Sequence, residues 1–169
     1  DVMNIKKVSV DKEGTGMGWG AVYAQYLESM DQIGEQGNGL SVSRQLYKGD
    51  EALNESAPLK VGDRITVRLT VKADRDMDFV QIKDDRAACM EPLQAVSGFR
   101  WSNGLGYYQA TKDASTQFFI DQMRKGTYVI EYQVYVNRTG EYQAGIATVQ
   151  SAYAPEFGGH TGGYRVMVE

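Results

Sequence analysis

Few side chains in this sequence combine the residue type and the spacing that catalysis requires. His160 is the one histidine and lies in a glycine-rich run, so neither a Ser-His-Asp nor a Cys-His arrangement can be assembled. Cys89 is the one cysteine, and it follows two alanines in a modestly apolar stretch, which favours a buried, inert thiol over a nucleophile. The sequence therefore predicts a protein that is not an enzyme and that needs no cofactor.

One spacing of carboxylates imitates a metal site. Asp74, Asp76 and Asp78 alternate like the first ligands of a calcium loop. Such a loop needs glycine at its sixth position for a sharp turn, and Phe79 stands there, inside a strand pattern. We interpret the three carboxylates as the solvated end of a strand and predict no metal ion.

Aromatic residues are better candidates for binding. Trp101, Tyr107 and Tyr108 flank the turn Ser102-Asn103-Gly104, with rings on both of its shoulders. Aromatic rings on a loop can stack on sugar rings or fill a pocket in a protein partner. They can equally seal the open end of the fold, and these alternatives stay open on the sequence alone.

A short pattern that occurs twice indicates how the chain is shaped. Gly126 precedes Tyr128 by two residues, and Gly140 precedes Tyr142 in the same way. In Greek-key sandwiches a tyrosine just inside a strand can donate its hydroxyl to the backbone a few residues upstream, at a corner between sheets. Glycine supplies the positive φ or the close backbone approach that such a corner needs. We predict that these four residues are scaffold.

Alternating hydrophobicity predicts the strands that position these groups. The longest are Ile65–Val71, Tyr128–Val136 and Tyr142–Gln150, and the short connection between the last two predicts an antiparallel hairpin. Only Cys89–Val96 could form a short helix. We therefore predict an all-β fold, an antiparallel two-sheet β-sandwich with at most one short helix. The shorter predicted strands are Val22–Leu27, Leu40–Leu46, Met77–Lys83, Gly106–Ala110, Thr116–Asp121 and Tyr164–Val168.

Composition excludes several kinds of partner. The 169 residues correspond to one large domain, or to one domain with part of a neighbour. The net charge of -4 gives no basic face, so we expect no nucleic-acid partner. No apolar run approaches the roughly 20 residues that a membrane helix requires, so we expect no membrane span in this chain.

A set of motifs, taken in order, resembles a known family. Together they are similar to the C-terminal macroglobulin-like domain of bacterial alpha-2-macroglobulin-like proteins, a sandwich of immunoglobulin-like type. The resemblance departs at Asp85–Pro92, where relatives often carry a Pro-Ala-Gly turn that is absent here. The motifs are Leu59–Val71, Asp78–Asp84 through Glu91-Pro92, Lys125-Gly126-Thr127-Tyr128, Gly140-Glu141-Tyr142 and Ser151–Phe157.

The resemblance also implies a division of the chain. Trp19–Tyr26 is similar to the last strand of the CUB-like module that precedes this domain in the family. We therefore expect residues 1–36 to be the final strands of that module, or an extension of the sandwich, and residues 37–169 to be the macroglobulin-like domain. The chain would then be the tail of a longer protein.

The residues that follow Cys89 differ from those that follow a thioester cysteine in this family. Members that trap proteases covalently form a thioester within a Cys-x-Glu-Gln sequence, and its glutamine side chain is the acyl source. Here Cys89-Met90-Glu91 is followed by Pro92, which has no side-chain amide. We conclude that Cys89 is not a thioester cysteine.

The function implied by the resemblance is that of an accessory, non-catalytic domain of a bacterial protease trap (an endopeptidase inhibitor). Such a domain packs against the thioester-type domain of its parent, and target proteases are met only by the full-length protein, in the periplasm, cell envelope or outside the cell. The alternatives are a carbohydrate-binding or adhesin-type sandwich, and an enzyme with a polar pocket that the sequence does not announce. The expected domain-interface residues are Trp101, Tyr107, Tyr108, Tyr153, Pro155 and Glu156.

Overall fold

The described part of this protein is built from β-strands. The computed structural model describes residues 7–20, 27, 29, 33–54 and 57–169, and no helix occurs within those ranges. None of the described residues therefore belongs to a helix that could cross a membrane. The strands are β1 Gln36–Asn38, β2 Leu40–Lys48, β3 Glu51–Ala52, β4 Arg64–Ala73, β5 Met77–Asp85, β6 Met90–Pro92, β7 Gly98–Ser102, β8 Leu105–Thr111, β9 Ser115–Met123, β10 Gly126–Val136, β11 Gly140–Ala144, β12 Ala147–Ser151, β13 Gly158–His160 and β14 Tyr164–Val168.

Strand β4 illustrates why these segments become strands. Ile65, Val67, Leu69 and Val71 are buried, whereas the residues between them are half-buried or exposed. Successive side chains of a strand point to opposite faces, so a period of two places every apolar side chain of β4 on the core side. Strand β10 follows the same rule, and it pairs with β4 along ten consecutive residues.

The main sheet is folded on itself into two layers. Its strand order is β6-β10-β4-β2-β1-β13-β12-β5-β9-β8-β7, with β3 beside β2, and these strands pair antiparallel. Strands β9 and β10 are far apart in this order, yet the rings of Phe118 and Tyr132 lie 5.9 Å apart across the core. A second, two-stranded sheet pairs β11 with β14. The predicted all-β, antiparallel sandwich is thereby confirmed.

The core lies between the two layers. Phe118 is fully buried near its centre, with the ring of Tyr107 at 5.7 Å on one side and Tyr132 on the other. Both layers supply aliphatic side chains around these rings, which is the packing expected of a sandwich. The largest fully buried aliphatic side chains are Leu40, Val42, Ile65, Leu69, Val71, Val80, Ile82, Ile120, Met123, Ile130 and Val134.

Two sequence-based predictions are wrong. The segment Cys89–Val96 is not a helix, because Met90–Pro92 pairs with the end of β10 as strand β6. The segment Tyr142–Gln150 does not return beside β10 as a hairpin. Both edges of β10 near that turn are already taken, by β4 and by β6, so the chain passes into the second sheet and β11 pairs with β14.

Part of the predicted N-terminal organisation lies outside the described residues. The predicted strand Val22–Leu27 falls there apart from Leu27, and so does most of the segment Trp19–Tyr26. The division at residue 36 stays a prediction. The first described strand, β1, begins at Gln36.

Candidate interaction surface and buried polar cluster

Exposed and half-buried aromatic side chains line up across the outer side of one layer. In the register of β7, β8 and β9, Phe99 stands opposite Tyr108, and Tyr108 stands opposite Phe119. The rings of Phe99 and Tyr108 meet edge to face with centroids 5.1 Å apart. Because Phe118 of the same strand points into the core, its neighbour Phe119 must point outward.

The indole of Trp101 lies on the next rung of the same surface. Trp101 pairs with Gly106, and a Cβ atom on Gly106 would meet the indole ring at 2.9 Å. The absence of a side chain at Gly106 therefore leaves room for the indole ring to lie against the backbone. The outer side of the ring remains open, since Trp101 is 76% exposed.

A second aromatic pair extends this surface along β5. Phe79 and Tyr153 meet edge to face with centroids 5.0 Å apart, and Phe79 has a φ of 53°, which is rare for a bulky residue. Asp78 pairs with Gln122 and Val80 pairs with Ile120, so the exposed Phe79 between them lies beside β9, the strand that carries Phe119. We call the following six side chains the aromatic face: Phe79, Phe99, Trp101, Tyr108, Phe119 and Tyr153.

The aromatic face differs from the sequence-based expectation in several ways. Trp101 lies on strand β7, not on a loop, whereas Tyr108 lies on β8, where the strand Gly106–Ala110 was predicted. Tyr107 is only 6% exposed and belongs to the core, so it is not available at this surface. Pro155 and Glu156 are exposed in the segment that follows Tyr153, and the Glu156 carbonyl accepts a 2.7 Å hydrogen bond from Asn38 Nδ2.

Sequence reasoning missed Phe79, Phe99 and Phe119. Phe99 and Trp101 alternate with Gly98, Arg100 and Ser102, so a period of two was present. Because the segment is short and glycine residues flank it, no strand was predicted there.

The tyrosines of the repeated Gly-x-Tyr pattern bond back to the backbone. Tyr142 donates its hydroxyl to the carbonyl of Thr139 at 2.8 Å, and Tyr128 donates to the carbonyl of Arg124 at 3.1 Å. Gly140 has a φ of 131°, and the Tyr142 hydroxyl lies 3.3 Å from the position that a Cβ atom would take there. The corner at Gly140 is where the chain leaves β10 for the second sheet.

Tyr142→Phe is expected to lower the free energy of unfolding by about 1 kcal/mol, because it removes one hydrogen bond from an otherwise unchanged ring. Urea denaturation followed by fluorescence measures the change, with Tyr135→Phe on the exposed side of β10 as the control. An unchanged midpoint for Tyr142→Phe would contradict the scaffold role of this hydroxyl.

A polar cluster joins the two layers inside the core. The Arg44 guanidinium of β2 pairs with the Asp84 carboxylate of β5, and their side chains are 4% and 1% exposed. Tyr132 of β10 donates its hydroxyl to the second oxygen of Asp84 at 2.7 Å. Arg44 Nη2 donates to the carbonyl of Gly145 at 2.6 Å, and the guanidinium lies 4.5 Å from the centre of the Tyr164 ring.

Protonation in this cluster is governed by burial. Burial raises the pKa of the Asp84 carboxyl group, and the Arg44 guanidinium opposes that rise. Burial lowers the pKa of Arg44, but the surrounding acidic groups, led by the Asp84 carboxylate, together raise that pKa overall. Burial also raises the pKa of the Tyr132 and Tyr164 hydroxyls, which keeps both phenols neutral. The geometry, with two donors aimed at one carboxyl group, is that of an ion pair shielded from water.

The period of two could have shown that Arg44 and Asp84 point inward, although not that they pair with each other. In β2 the inward positions are Leu40, Val42 and Arg44, and in β5 they are Val80, Ile82 and Asp84. An arginine and an aspartate thus stand at apolar positions of two different strands. Opposite charges at such positions are paired when they are buried.

The other candidates for chemistry or metal binding are Cys89, His160 and the aspartates between β4 and β5. Each is buried or lies against neighbouring protein groups. Cys89 is buried, and burial raises the pKa of its thiol, which disfavours the reactive thiolate. His160 Nδ1 lies 3.1 Å from the carbonyl of Thr161. Asp74 pairs with Arg75 at 2.8 Å, and Asp76 accepts the Lys125 backbone N–H at 2.7 Å. Among the described residues, no three His, Cys, Asp or Glu side chains gather where a metal ion could be held.

Comparison with known proteins identifies relatives of this chain. Residues 39–156 match the model of the family described as the bacterial alpha-2-macroglobulin MG10 domain. Over 166 residues the chain is 27% identical to Circularly permutated Ras protein 2 of Dictyostelium discoideum. The match covers 94% of this chain and 4% of that protein.

Solved structures show the same fold. A crystal structure of a Salmonella alpha-2-macroglobulin mutant superposes with a TM-score of 0.69 at 19% identity, over 80% of this chain and 10% of the other. Native Escherichia coli alpha-2-macroglobulin, from domain MG7 to the C-terminus, gives a TM-score of 0.67 at 17% identity, over 80% and 24%. The chain thus spans a small part of the length of each of these relatives.

Proposed function

The chain belongs to the bacterial alpha-2-macroglobulin MG10 domain family, and we propose that it is a non-catalytic domain that packs against another domain of a longer, alpha-2-macroglobulin-like parent. In this proposal the parent is a protease trap, and the domain helps to hold its uncleaved form. The neighbour is the thioester-type domain, as the family resemblance implies.

The aromatic face is the observation that carries this proposal. Phe99, Trp101 and Tyr153 are each more than three-quarters exposed, and with Phe79 and Phe119 they lie on or beside the consecutive strands β12-β5-β9-β8-β7. Contiguous exposed apolar surface of this kind marks an interaction site in soluble proteins. Aromatic residues are also the side chains most enriched at the energetic centre of protein interfaces.

The proposed contact extends from the aromatic face to the neighbouring loop. Trp101 and Tyr108 form its centre, and Tyr153, Pro155 and Glu156 form its margin. Tyr107 contributes from below, because its buried ring supports β8 against Phe118. A contact of about 600–1,500 Å² would be typical of two domains within one chain.

The proposal also concerns the parent polypeptide, its location and the division of this chain. The matched structures are longer alpha-2-macroglobulin chains, which supports a domain within a parent polypeptide. We place the parent in the periplasm, in the cell envelope or outside the cell. We assign residues 37–169 to this domain and residues 1–36 to the end of a preceding CUB-like module or to an extension of the sandwich.

The carbohydrate-binding alternative loses its main support. A sugar platform would need the rings of Trp101, Tyr107 and Tyr108 to be exposed and coplanar. Tyr107 is buried, and the planes of the neighbouring Phe99 and Tyr108 rings meet at 75°. This surface is ridged, which suits a protein partner better than the flat face of a sugar ring.

Hydroxyl-radical footprinting of the isolated chain and of the full-length parent tests the contact. We expect oxidation of Trp101 and Phe119 to fall severalfold in the parent, because the neighbouring domain covers these rings. Trp101→Ser in the parent should restore oxidation of Phe119, whereas Tyr135→Ser, an exposed aromatic position on β10, should not.

Titration of the isolated chain against a panel of endopeptidases tests the accessory role. We expect no inhibition, because entrapment requires a cleavable bait segment and several domains. Stoichiometric inhibition would overturn the proposal, and so would equal oxidation of the aromatic face in the parent and in the isolated chain.

A further inference from the structure

The two-stranded sheet of β11 and β14 is attached to the sandwich by little backbone pairing. Among the described residues, its ladder joins these two strands only to each other. At one end of this sheet, Val168 forms a single bridge with Leu59. Two hydrogen bonds accompany that bridge, from Leu59 N to the Met167 carbonyl and from Glu169 N to the Leu59 carbonyl, both 2.9 Å long.

The other end of this small sheet is contacted by a buried side chain of β2. Backbone hydrogen bonds just beyond that end, from Asp85 N to the Ile146 carbonyl and from Gly163 N to the Ile33 carbonyl, both 3.2 Å long, also tie the chain to its surroundings. Ala144 and Tyr164 are register partners on its last rung. Arg44 reaches this rung from β2: its Nη2 donates to the carbonyl of Gly145, the residue after β11, and its guanidinium plane covers the ring of Tyr164, the first residue of β14. Asp84 of β5 fixes the guanidinium in this position.

The apolar packing of the small sheet is modest beside that of the main sheet. The buried side chains that it contributes are Ala144, Val166 and Val168, with Tyr142 and Tyr164 partly buried against the core. A cleft of about 390 Å³ separates β14 from β2 and is lined by Arg44, Leu46, Leu59, Tyr164 and Val166. The Arg44 guanidinium therefore lies where this cleft meets the rung of Ala144 and Tyr164.

We propose that Arg44 is a latch: it fastens the β11–β14 sheet to the sandwich, and release of the guanidinium from Gly145 and Tyr164 opens this sheet while the rest of the core stays folded. The cleft widens when the latch opens, because β14 forms one of its walls. This inference rests on contacts within the domain and is independent of the proposed interdomain contact.

Native-state hydrogen exchange of the whole chain tests the latch. Arg44→Lys keeps a charge beside Asp84 but loses the planar fork that spans Gly145 and Tyr164. We expect amides of β11 and β14 to exchange at least about tenfold faster in this variant. Amides of β7 and β8 should be unchanged, because that hairpin opens without moving Arg44. Arg68→Lys, in the exposed pair with Glu131, is the matched control and should leave β11 and β14 unchanged.

The wild-type chain supplies a test that does not depend on the variant folding. In a series of low urea concentrations, exchange in β11 and β14 should depend on urea less steeply than exchange in β4 and β10, as local opening requires. The latch is refuted if all four strands share one urea dependence. It is also refuted if Arg44→Lys leaves β11 and β14 unchanged, or if it accelerates β7 and β8 equally.

Discussion

Asp84→Ala is expected to lower the free energy of unfolding by about 3–5 kcal/mol, because it leaves the buried Arg44 guanidinium without its counter-ion. It also removes the acceptor of the Tyr132 hydroxyl, which lies inside the core. Equilibrium urea denaturation measures the loss, provided that the slope of the transition is unchanged.

A compensated variant separates the cost of an unpaired charge from the value of the pair. Arg44→Met combined with Asp84→Leu removes both charges and keeps much of the volume, so it should be far less destabilising than Asp84→Ala alone. Glu131→Ala, which breaks the exposed pair with Arg68, should leave the midpoint nearly unchanged. If Asp84→Ala were as mild as Glu131→Ala, Asp84 would not be the counter-ion that the core requires.

Phe118→Ala is expected to cost about 3–5 kcal/mol, because it opens a cavity between Tyr107 and Tyr132 at the centre of the core. Equilibrium urea denaturation measures this loss as well. Its neighbour Phe119 provides the matched control, since it has the same side chain on the same strand but is 39% exposed.

Phe119→Ala should change stability little and should instead weaken the proposed contact in the parent. The pair of variants therefore separates the two faces of β9, one that builds the core and one that meets a partner. Equal destabilisation by both variants would mean that the outer side of β9 is covered within this domain.

The sequence predicted the layers better than the connections between them. Alternation in β4 and β10 is long and unbroken, so the existence and the inward face of these strands followed from the period of two. The pairing of β11 with β14 did not follow from this period. The edge of β10 is blocked by Met90–Pro92, a three-residue strand whose sequence has no period to detect.

The aromatic face and the buried cluster were hidden for opposite reasons. Phe99 and Trp101 lie on a strand too short to be distinguished from a loop, so their exposure could be expected but their common face could not. Arg44 and Asp84 lie on well-predicted strands, but nothing local pairs a residue of β2 with one of β5. Such a contact depends on how the main sheet folds over, which no short segment encodes.

The pairing of β1 with β13 has a consequence for the timing of folding. Gln36 pairs with His160, and Gly37 pairs with Gly159, so the first described strand and the last but one meet in the middle of the main sheet. Pairings between distant segments close large loops, and they make folding slow compared with that of helical domains. During synthesis, this sheet cannot be completed until β13 has left the ribosome, and until then β1 and β12, the strands that will flank β13, have open edges that need protection from aggregation.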